Sequence, residues 1–380
     1  MRIKQWIKPL LTMIIRLFGL FPIRQNKILF SAFSARFFSD NPKYIAEQVL
    51  EEGVTADCVF VLRDPEGVCL PDGIRSVKYN TLRFLYELAT SRIWVDNTRK
   101  QDFIVKRKKQ VYIQTWHGAI PFKKIEKDIE STLPKKYIRT AQRDSKMIDY
   151  LLTNSAFGER ICSNAFWYDG KIKVTGTPRV DRLITKSTDL ERDASAMLKL
   201  DPEIHYALYA PTFRDNGDTS IYKNDFERIS HMLTNRFGGK WGIILKLHPN
   251  IKDLHLSLND NVIDATDFPD IIELYSVSDV LLTDYSSAMF DFSLTGKPVF
   301  LLMEDWDSFI QNRSTYFRRE ELPFSIANSL EILERNINEF DRDSYVSKLN
   351  NFYGSLEILE DGLASHRVVS LMKTIILNRS

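Results

Sequence analysis

Residues 280–303 read VLLTDYSSAMFDFSLTGKPVFLLM, which is an apolar run, a polar turn, an amphipathic stretch and a second apolar run. This pattern predicts a strand at 280–283, a helix at 286–295 closed by Gly296, and a strand at 298–303. Because a strand, a crossover helix and a second strand form a βαβ unit, the two strands should be parallel.

The same alternation of apolar runs and amphipathic stretches extends through most of the chain, in two series. Strands of the first series are predicted at 27–33, 56–62, 93–96, 111–115, 150–153 and 172–175, and further strands of the second at 206–210 and 242–247. The two series predict an α/β protein with two Rossmann-like domains, residues 27–185 and 186–380, joined by the polar stretch 186–193.

The composition is typical of a globular protein, because the 380 residues are 44% hydrophobic and 27% charged. The net charge is only +2, but residues 1–27 carry six Lys/Arg and no acid, and residues 99–146 carry fourteen Lys/Arg against five Asp/Glu. Such asymmetry indicates either a basic face that meets an anionic partner or a solvated surface. The three cysteines lack the spacing of a metal site and predict reduced thiols in the cytoplasm.

The N-terminal residues, 1–26, predict a segment that associates with a membrane. On a helix over 3–21, polar residues recur at every fourth position and form one narrow stripe: Lys4, Lys8, Thr12 and Arg16. Arg16 interrupts the apolar run, so a spanning helix is not expected, and no secretory cleavage site follows. We expect residues 1–21 to lie on an anionic membrane surface, with a core helix as the alternative.

Polar residues follow the predicted strands, where doubly wound sheets bind their ligands. Asp284, Ser286 and Ser287 come directly after one strand. Their hydroxyls and the N–H groups of the helix start would bind a phosphate, and the alternative is a simple helix cap. Thr212 and Arg214 follow another strand, and Arg214 suits either a bidentate phosphate contact or a structural salt bridge.

Two histidines also stand at strand ends. His117 precedes Gly118, which would let a backbone or a ligand approach closely, and His248 stands in the sequence KLHP. A histidine can take a proton from a hydroxyl near neutral pH, so His117 is the candidate base, and the alternative is a buried ring that holds the turn. Lys123 and Lys124 follow at once and suit an acceptor that carries phosphates.

Several signatures are absent from the sequence. It contains no GxxxxGK[ST], GxGxxG, GxSxG or HExxH, which argues against P-loop enzymes, ordinary dinucleotide sites and those hydrolases. The triplet DRD at 341–343 lies in a polar helical stretch, so we expect no metal and no cofactor. The basic stretch 106–109 has little aromatic interleaving, so nucleic acid is not an expected partner.

Together these stretches resemble the CDP-glycerol glycerophosphotransferases that build teichoic acids and related capsules. In chain order, the matching pieces are KILFSAF, SDNPKYI, QTWHG, LLTNSAF, KIKVTGTPRVDRL, YAPTFRD, KLHP, the βαβ stretch quoted above, and Asp361-Gly362, Ala364-Ser365 and Arg367-Val368. The resemblance implies a GT-B-like fold, with parallel sheets facing a central cleft and the terminal helices packing back on the first domain. It also implies transfer of glycerol phosphate from CDP-glycerol to a hydroxyl, with release of CMP.

The resemblance further implies roles for individual residues. His117 would be the general base and His248 a second catalytic residue, which holds the donor pyrophosphate together with Ser286 and Ser287. Asp284 would orient His248 or the helix start. The other donor-phosphate candidates are Thr212, Arg214 and Arg367, and the acceptor-side candidates are Gly118, Lys123, Lys124, Asn154 and Arg179.

The sequence departs from the polymerising members at AIPF, residues 119–122, and at LPFS, residues 322–325. Its length resembles that of single-transfer, primase-like members or of capsule enzymes. The expected acceptor is a lipid-linked or polymeric saccharide at the cytoplasmic face of a bacterial membrane, where the protein would be peripheral, and CDP-ribitol is the alternative donor. Two other hypotheses are a GT-B glycosyltransferase that uses a nucleotide sugar and a membrane-bound nucleotide-binding protein without turnover.

Overall fold

The structure, a computed structural model, describes residues 3–118, 120–214, 220–222, 224–247 and 261–378. The chain divides into two compact units. The first comprises Met1–Ala119, Ile125–Asp181 and Glu357–Ser380, and the second comprises Ile120–Lys124 and Arg182–Leu356. The short segment Ile120–Lys124 therefore belongs to the second unit, although the sequence places it inside the first domain.

The first unit is built on a seven-stranded sheet in which all neighbouring strands are parallel. Its strands are β1 (Arg24–Ser31), β2 (Asp57–Leu62), β3 (Ile74–Lys78), β4 (Ser91–Asp96), β5 (Val111–Gln114), β6 (Tyr150–Thr153) and β7 (Lys171–Val174). The strand order is β3-β2-β1-β4-β5-β6-β7. The central strands are buried on both faces, as expected for a parallel sheet covered by helices.

The second unit contains a six-stranded parallel sheet of order β10-β9-β8-β11-β12-β13. Its strands are β8 (Ile204–Tyr209), β9 (Lys240–Leu245), β10 (Val262–Asp264), β11 (Val280–Thr283), β12 (Val299–Leu302) and β13 (Ser325–Ala327). The βαβ unit predicted from residues 280–303 is present, because β11 and β12 are parallel neighbours with Leu281 beside Val299.

Fourteen α-helices lie within the described residues. They are α1 (Ile3–Phe18), α2 (Asp40–Glu51), α3 (Leu82–Thr90), α4 (Lys135–Ser145), α5 (Ala156–Ala165), α6 (Asp181–Ile184), α7 (Thr188–Leu198), α8 (Phe226–Phe237), α9 (Ile271–Ser276), α10 (Ala288–Ser293), α11 (Trp306–Asn312), α12 (Leu330–Asn338), α13 (Arg342–Leu356) and α14 (Ala364–Leu377). The stretch 186–193, predicted as a linker, contains the start of α7, where Asp189 and Glu191 complement the helix dipole. Helix α10 is shorter than the predicted 286–295.

Helix α1 contacts the first unit through its polar stripe. Lys8 Nζ lies 2.5 Å from a carboxylate oxygen of Asp102, the Thr12 hydroxyl donates to the Phe103 carbonyl at 2.8 Å, and Ile15 is buried. Large apolar side chains are exposed along and just beyond the helix: Leu10, Met13, Leu17, Leu20 and Phe21. None of the described helices is long and apolar enough to cross a membrane.

A buried ion pair joins β1 to α3. Lys27 Nζ lies 2.6 Å from Glu87 Oε2, both side chains are fully buried, and Arg75 on β3 also donates to Glu87. Burial alone would raise the pKa of Glu87, but hydrogen bonds from Arg75 and Lys27 lower it from 4.5 to about 2.

We expect Glu87→Gln to lower the free energy of unfolding by about 3 kcal/mol at pH 7, because the variant leaves the buried Lys27 without a counter-charge. The folded-state pKa of Glu87 is depressed, so its contribution is present above pH 4.5 and is lost as the pH falls towards 2. The difference between Glu87→Gln and the unaltered chain, measured by urea unfolding, should therefore shrink over that range. A difference that is constant with pH would contradict this explanation.

Candidate active site

The loop that follows β5 has an unusual backbone at Trp116, whose φ is 52°. A residue other than glycine in this region costs about 1–3 kcal/mol and persists only where its surroundings fix it. The Trp116 N–H donates to the Gln114 side chain at 2.9 Å, and its carbonyl accepts from Asn41 Nδ2 at 3.1 Å and from the Thr115 hydroxyl at 3.0 Å. These contacts fix the direction in which the next residue, His117, leaves the loop.

The ring of His117 is held in one orientation. Nδ1 lies 2.8 Å from the Asn97 carbonyl, and the Trp116 ring lies beside it with 4.4 Å between centroids. Because a carbonyl only accepts, Nδ1 must carry the hydrogen, and the lone pair of Nε2 remains available. Desolvation by the surrounding protein lowers the pKa of His117, although the residue is still reached by solvent. A lowered pKa favours the neutral imidazole, which is able to accept a proton.

A buried ion pair between Arg179 and Asp40 holds the same loop in place. One Arg179 nitrogen, Nη1, lies 2.6 Å from Asp40 Oδ2 and donates to the His117 carbonyl at 2.8 Å. The Arg179 N–H donates to Asn41 Oδ1 at 3.1 Å. The sequence pieces SDNP, WHG and GTPR thus meet at one place in the first unit, which brings the predicted residues His117 and Arg179 together.

Asp40 and Asn41 are site residues that the sequence analysis did not identify. Nothing in their sequence surroundings distinguishes them from ordinary residues of a helix start, although Asp40 has a left-handed backbone with φ of 60°. The one available signal was their position at the start of α2, which follows β1 at the carboxyl edge of the sheet, where ligand-binding residues are expected.

Two predicted residues lie where α14 and the residues before it pack on the rest of the first unit. The Asn154 amide donates to Glu360 at 2.7 Å, and Arg367 pairs with both carboxylate oxygens of Asp361. Two backbone segments approach closely here, since a Cβ added to Gly176, whose φ is +88°, would lie 2.7 Å from the Leu359 carbonyl oxygen. Arg367 already has a carboxylate partner, and its contact with a donor phosphate stays a prediction.

In the second unit, Asp284 is the centre of a buried polar cluster after β11. It accepts from the N–H of Thr212 at 2.9 Å and from its hydroxyl, and it lies 2.8 Å from Nη1 of Arg214. Arg214 also donates to both oxygens of Asp305, at 2.7 and 3.0 Å. Of the two alternatives for Arg214, the structure contains the salt bridge. Asp284 orients Thr212 and Arg214 and also accepts from the Tyr285 N–H ahead of α10. Its predicted role towards His248 stays a prediction.

Ser286 and Ser287 form the half-buried turn between this cluster and α10. Ser286 Oγ accepts from the Ala288 N–H at 3.2 Å, and the Ser287 side chain makes no capping bond, which explains why the helix begins after them. The cluster and the turn lie together at the carboxyl end of β11. That is the edge at which ligands bind in this class of sheet.

The predicted residue His248 lies in the segment 248–260, outside the described residues. Lys246, close before it, donates to the carbonyls of Thr266 and Phe268, each at 2.6 Å. Burial lowers the pKa of Lys246 to about 8. This lysine was not predicted as a site residue, because a Lys at a strand end has no pattern that separates it from a surface residue.

The remaining acceptor-side candidates follow the His117 loop. Gly118 lies in the first unit. Lys123 and Lys124 lie in the second, where Lys123 forms a β-bridge with Thr315 and the Lys124 N–H donates to the Ser314 carbonyl at 2.9 Å. Among the described residues, no group of three His, Cys, Asp or Glu side chains could hold a metal ion.

The sequence matches the family described as CDP-Glycerol:Poly(glycerophosphate) glycerophosphotransferase over residues 13–374. The chain belongs to this family. The family and the transferase class expected from the sequence are therefore confirmed.

Two curated relatives and one solved structure illustrate the similarity. A teichoic acid glycerol-phosphate transferase of Staphylococcus aureus is 30% identical over 90% of this chain and 92% of its own length. A teichoic acid poly(glycerol phosphate) polymerase of Staphylococcus epidermidis is also 30% identical, but the chain spans only 51% of that relative's length. The wall teichoic acid polymerase TagF matches with a TM-score of 0.85 at 28% identity, over 98% of this chain and 96% of that structure. This similarity confirms the GT-B-like fold class.

Proposed function

We propose that this glycerophosphotransferase family member moves glycerol phosphate from CDP-glycerol to a hydroxyl of a lipid-linked or polymeric saccharide, and releases CMP. The observation that carries the proposal is the His117 ring, which is neutral, fixed at Nδ1 by the Asn97 carbonyl and accessible at the other side. Such a ring can act as a general base towards an acceptor hydroxyl.

In the proposed step, Nε2 of His117 takes the proton of the acceptor hydroxyl. The hydroxyl oxygen forms a bond to the phosphorus that carries glycerol, and the bond from that phosphorus to the CMP oxygen breaks. CMP leaves with the electron pair of that bond. Phosphoryl transfer depends mostly on positioning and on neutralising charge, which we assign to the Ser286 and Ser287 hydroxyls and to His248.

Release of CMP by the purified chain, with a lipid-linked saccharide acceptor, tests the donor. We expect release from CDP-glycerol, with CDP-ribitol at least about tenfold slower, because a misplaced polyol loses hydrogen bonds in the transition state. A UDP-sugar should give no transfer. Faster turnover of CDP-ribitol would reassign the donor, and turnover of only the UDP-sugar would replace the proposal with a glycosyltransferase.

We also propose that α1 holds the protein on the cytoplasmic face of an anionic membrane. The polar residues Lys8 and Thr12 bond to the first unit, so the apolar side chains of Leu17 and Leu20 are left exposed, by 54% and 83%. Exposed apolar residues next to a basic segment favour the boundary between lipid headgroups and acyl chains.

Vesicle flotation tests this docking. We expect Leu17→Gln/Leu20→Gln to lower the partition constant for anionic vesicles by at least about thirtyfold, because each Leu would lose about 1–2 kcal/mol of burial in the lipid. The matched control is Met197→Gln/Leu363→Gln, since these residues are also exposed, by 60% and 51%, but lie outside α1. Equal flotation of the two double variants would exclude α1 as the anchor.

A further inference from the structure

The second unit has a pocket of about 670 Å³ at the amino ends of its strands. Its wall includes His205 and Trp241, near the starts of β8 and β9, and Val280, the first residue of β11. We call it the amino-edge pocket. Because parallel strands all run in one direction, this pocket and the Asp284 cluster lie at opposite edges of the sheet.

Cations outnumber acids around the amino-edge pocket. It is lined by five basic residues, Arg182, Lys186, Arg236, Lys297 and Arg342, and by two acids, Glu191 and Asp279. Asp279 already has a partner, because its carboxylate lies 2.9 Å from Nδ1 of His205. The pocket therefore has a surplus of positive charge that an anionic ligand would balance.

Lys297 shows this surplus most clearly. Its ammonium donates to the carbonyls of Ser278, at 2.7 Å, and Ser276, at 3.3 Å, and the Asp279 carboxylate lies 3.8 Å away. Burial lowers the pKa of Lys297. Asp279 is shared between Lys297 and His205, so an anion in the pocket would add a second counter-charge beside this half-buried ammonium.

One wall of the pocket is aromatic. The exposed ring of His205 stacks on Trp241, with 5.2 Å between centroids and 29° between planes. Phe237 lies 5.8 Å from Trp241 and 6.0 Å from Phe340. His205 is also held by Asp279, so this lining residue would lose little side-chain entropy when a ligand binds.

We propose that the amino-edge pocket binds a nucleoside phosphate. A flat ring would stack on His205 and Phe237, and the phosphate would be bound by the basic residues. The volume lies within the range of pockets that enclose a ligand of nucleotide size. This site is separate from the one at the carboxyl edge and does not depend on the function proposed for it.

Equilibrium dialysis of the full chain with labelled CMP tests the site. We expect two CMP per chain, one at each edge of the sheet. Lys186→Gln/Arg342→Gln should weaken one of the two sites at least tenfold, since two charged contacts to phosphate are lost, while Ser286→Ala/Ser287→Ala should leave that site intact. Both altered cations are exposed, and neither forms an ion pair with another described residue, so the fold should tolerate the change.

The matched control is Arg335→Gln/Lys348→Gln, which removes two exposed cations outside the pocket and should change neither site. Glycerol 3-phosphate, which has no ring, should bind at least tenfold more weakly than CMP in the pocket, and CDP-glycerol should bind as CMP does. Unchanged CMP binding in Lys186→Gln/Arg342→Gln, or glycerol 3-phosphate binding as tightly as CMP, would overturn the proposal. If the chain bound a single CMP, and Lys186→Gln/Arg342→Gln removed that binding while Ser286→Ala/Ser287→Ala did not, the amino-edge pocket would be supported and the proposed donor site would be contradicted.

Discussion

Replacing His117 by Ala should lower the rate of CMP release from CDP-glycerol by about a hundred- to ten-thousand-fold, the usual contribution of a positioned general base. The variant loses the imidazole, whose Nε2 lone pair is left available because the hydrogen bond to the Asn97 carbonyl uses Nδ1. Steady-state kcat measures the loss, and KM for the donor should change little, because His117 is assigned to the acceptor proton. Desolvation lowers the pKa of His117, so the acid limb of the rate profile should lie below pH 6.5.

His231→Ala is the matched control, because this histidine is exposed on α8 in the second unit. It should retain full activity. Thermal unfolding of both variants separates a lost base from a damaged loop. If His117→Ala released CMP at the rate of the unaltered chain, the general-base role would have to be given to another residue.

Most of the strands could be predicted from the sequence, because each of them has a recognisable apolar run. Residues 280–303 contain both strands and the intervening helix, and the main difference lies at the helix start, where Ser286 and Ser287 form a turn, while the helix and the second strand are also slightly shorter than predicted. The strand β3 (Ile74–Lys78) was not predicted. It is an edge strand with only two buried positions, so its apolar pattern is too short to recognise.

The site could be predicted only in part, because its members are defined by contacts between distant positions. His117 stands out as a histidine at a strand end. Hydrogen bonds with Asn97, Asn41 and Arg179 hold His117 and its loop. The most distant of these residues in the sequence, Asn41, lies 76 positions before His117. No local periodicity encodes such contacts, and the same holds for Arg214, where the sequence alone left a phosphate contact and a salt bridge equally open.

A larger effect on stability is expected at Arg99, which is buried between two carboxylates in the first unit. Its guanidinium lies 2.7 Å from Glu126 and 3.2 Å from Asp144, and it packs over the rings of Phe166 and Trp116, at 4.9 and 5.7 Å. Arg99→Met should lower the free energy of unfolding by about 3–5 kcal/mol, because both carboxylates would remain buried without their counter-charge. Urea unfolding at pH 7 measures the change.

The pH dependence of this loss identifies its cause. Burial raises the pKa of Asp144 to about 6 even with Arg99 present, so without Arg99 it should rise further. A carboxyl group with a raised folded-state pKa favours the folded state at low pH, and that stability is lost as the pH rises through the pKa. The defect of Arg99→Met should therefore shrink as the pH falls from 7 to 5. Loss of packing alone would give the same defect at both values.

The control for Arg99→Met is Arg192→Met, since Arg192 also pairs with two carboxylates, Asp189 and Asp193, but is 68% exposed. Its loss should leave the free energy of unfolding nearly unchanged, as is usual for surface ion pairs. Because Arg99 contacts the Trp116 ring, Arg99→Met should also lower kcat at temperatures where the variant is still folded. A folded variant with full kcat would mean that Asn41 and Arg179 alone are sufficient to hold the His117 loop.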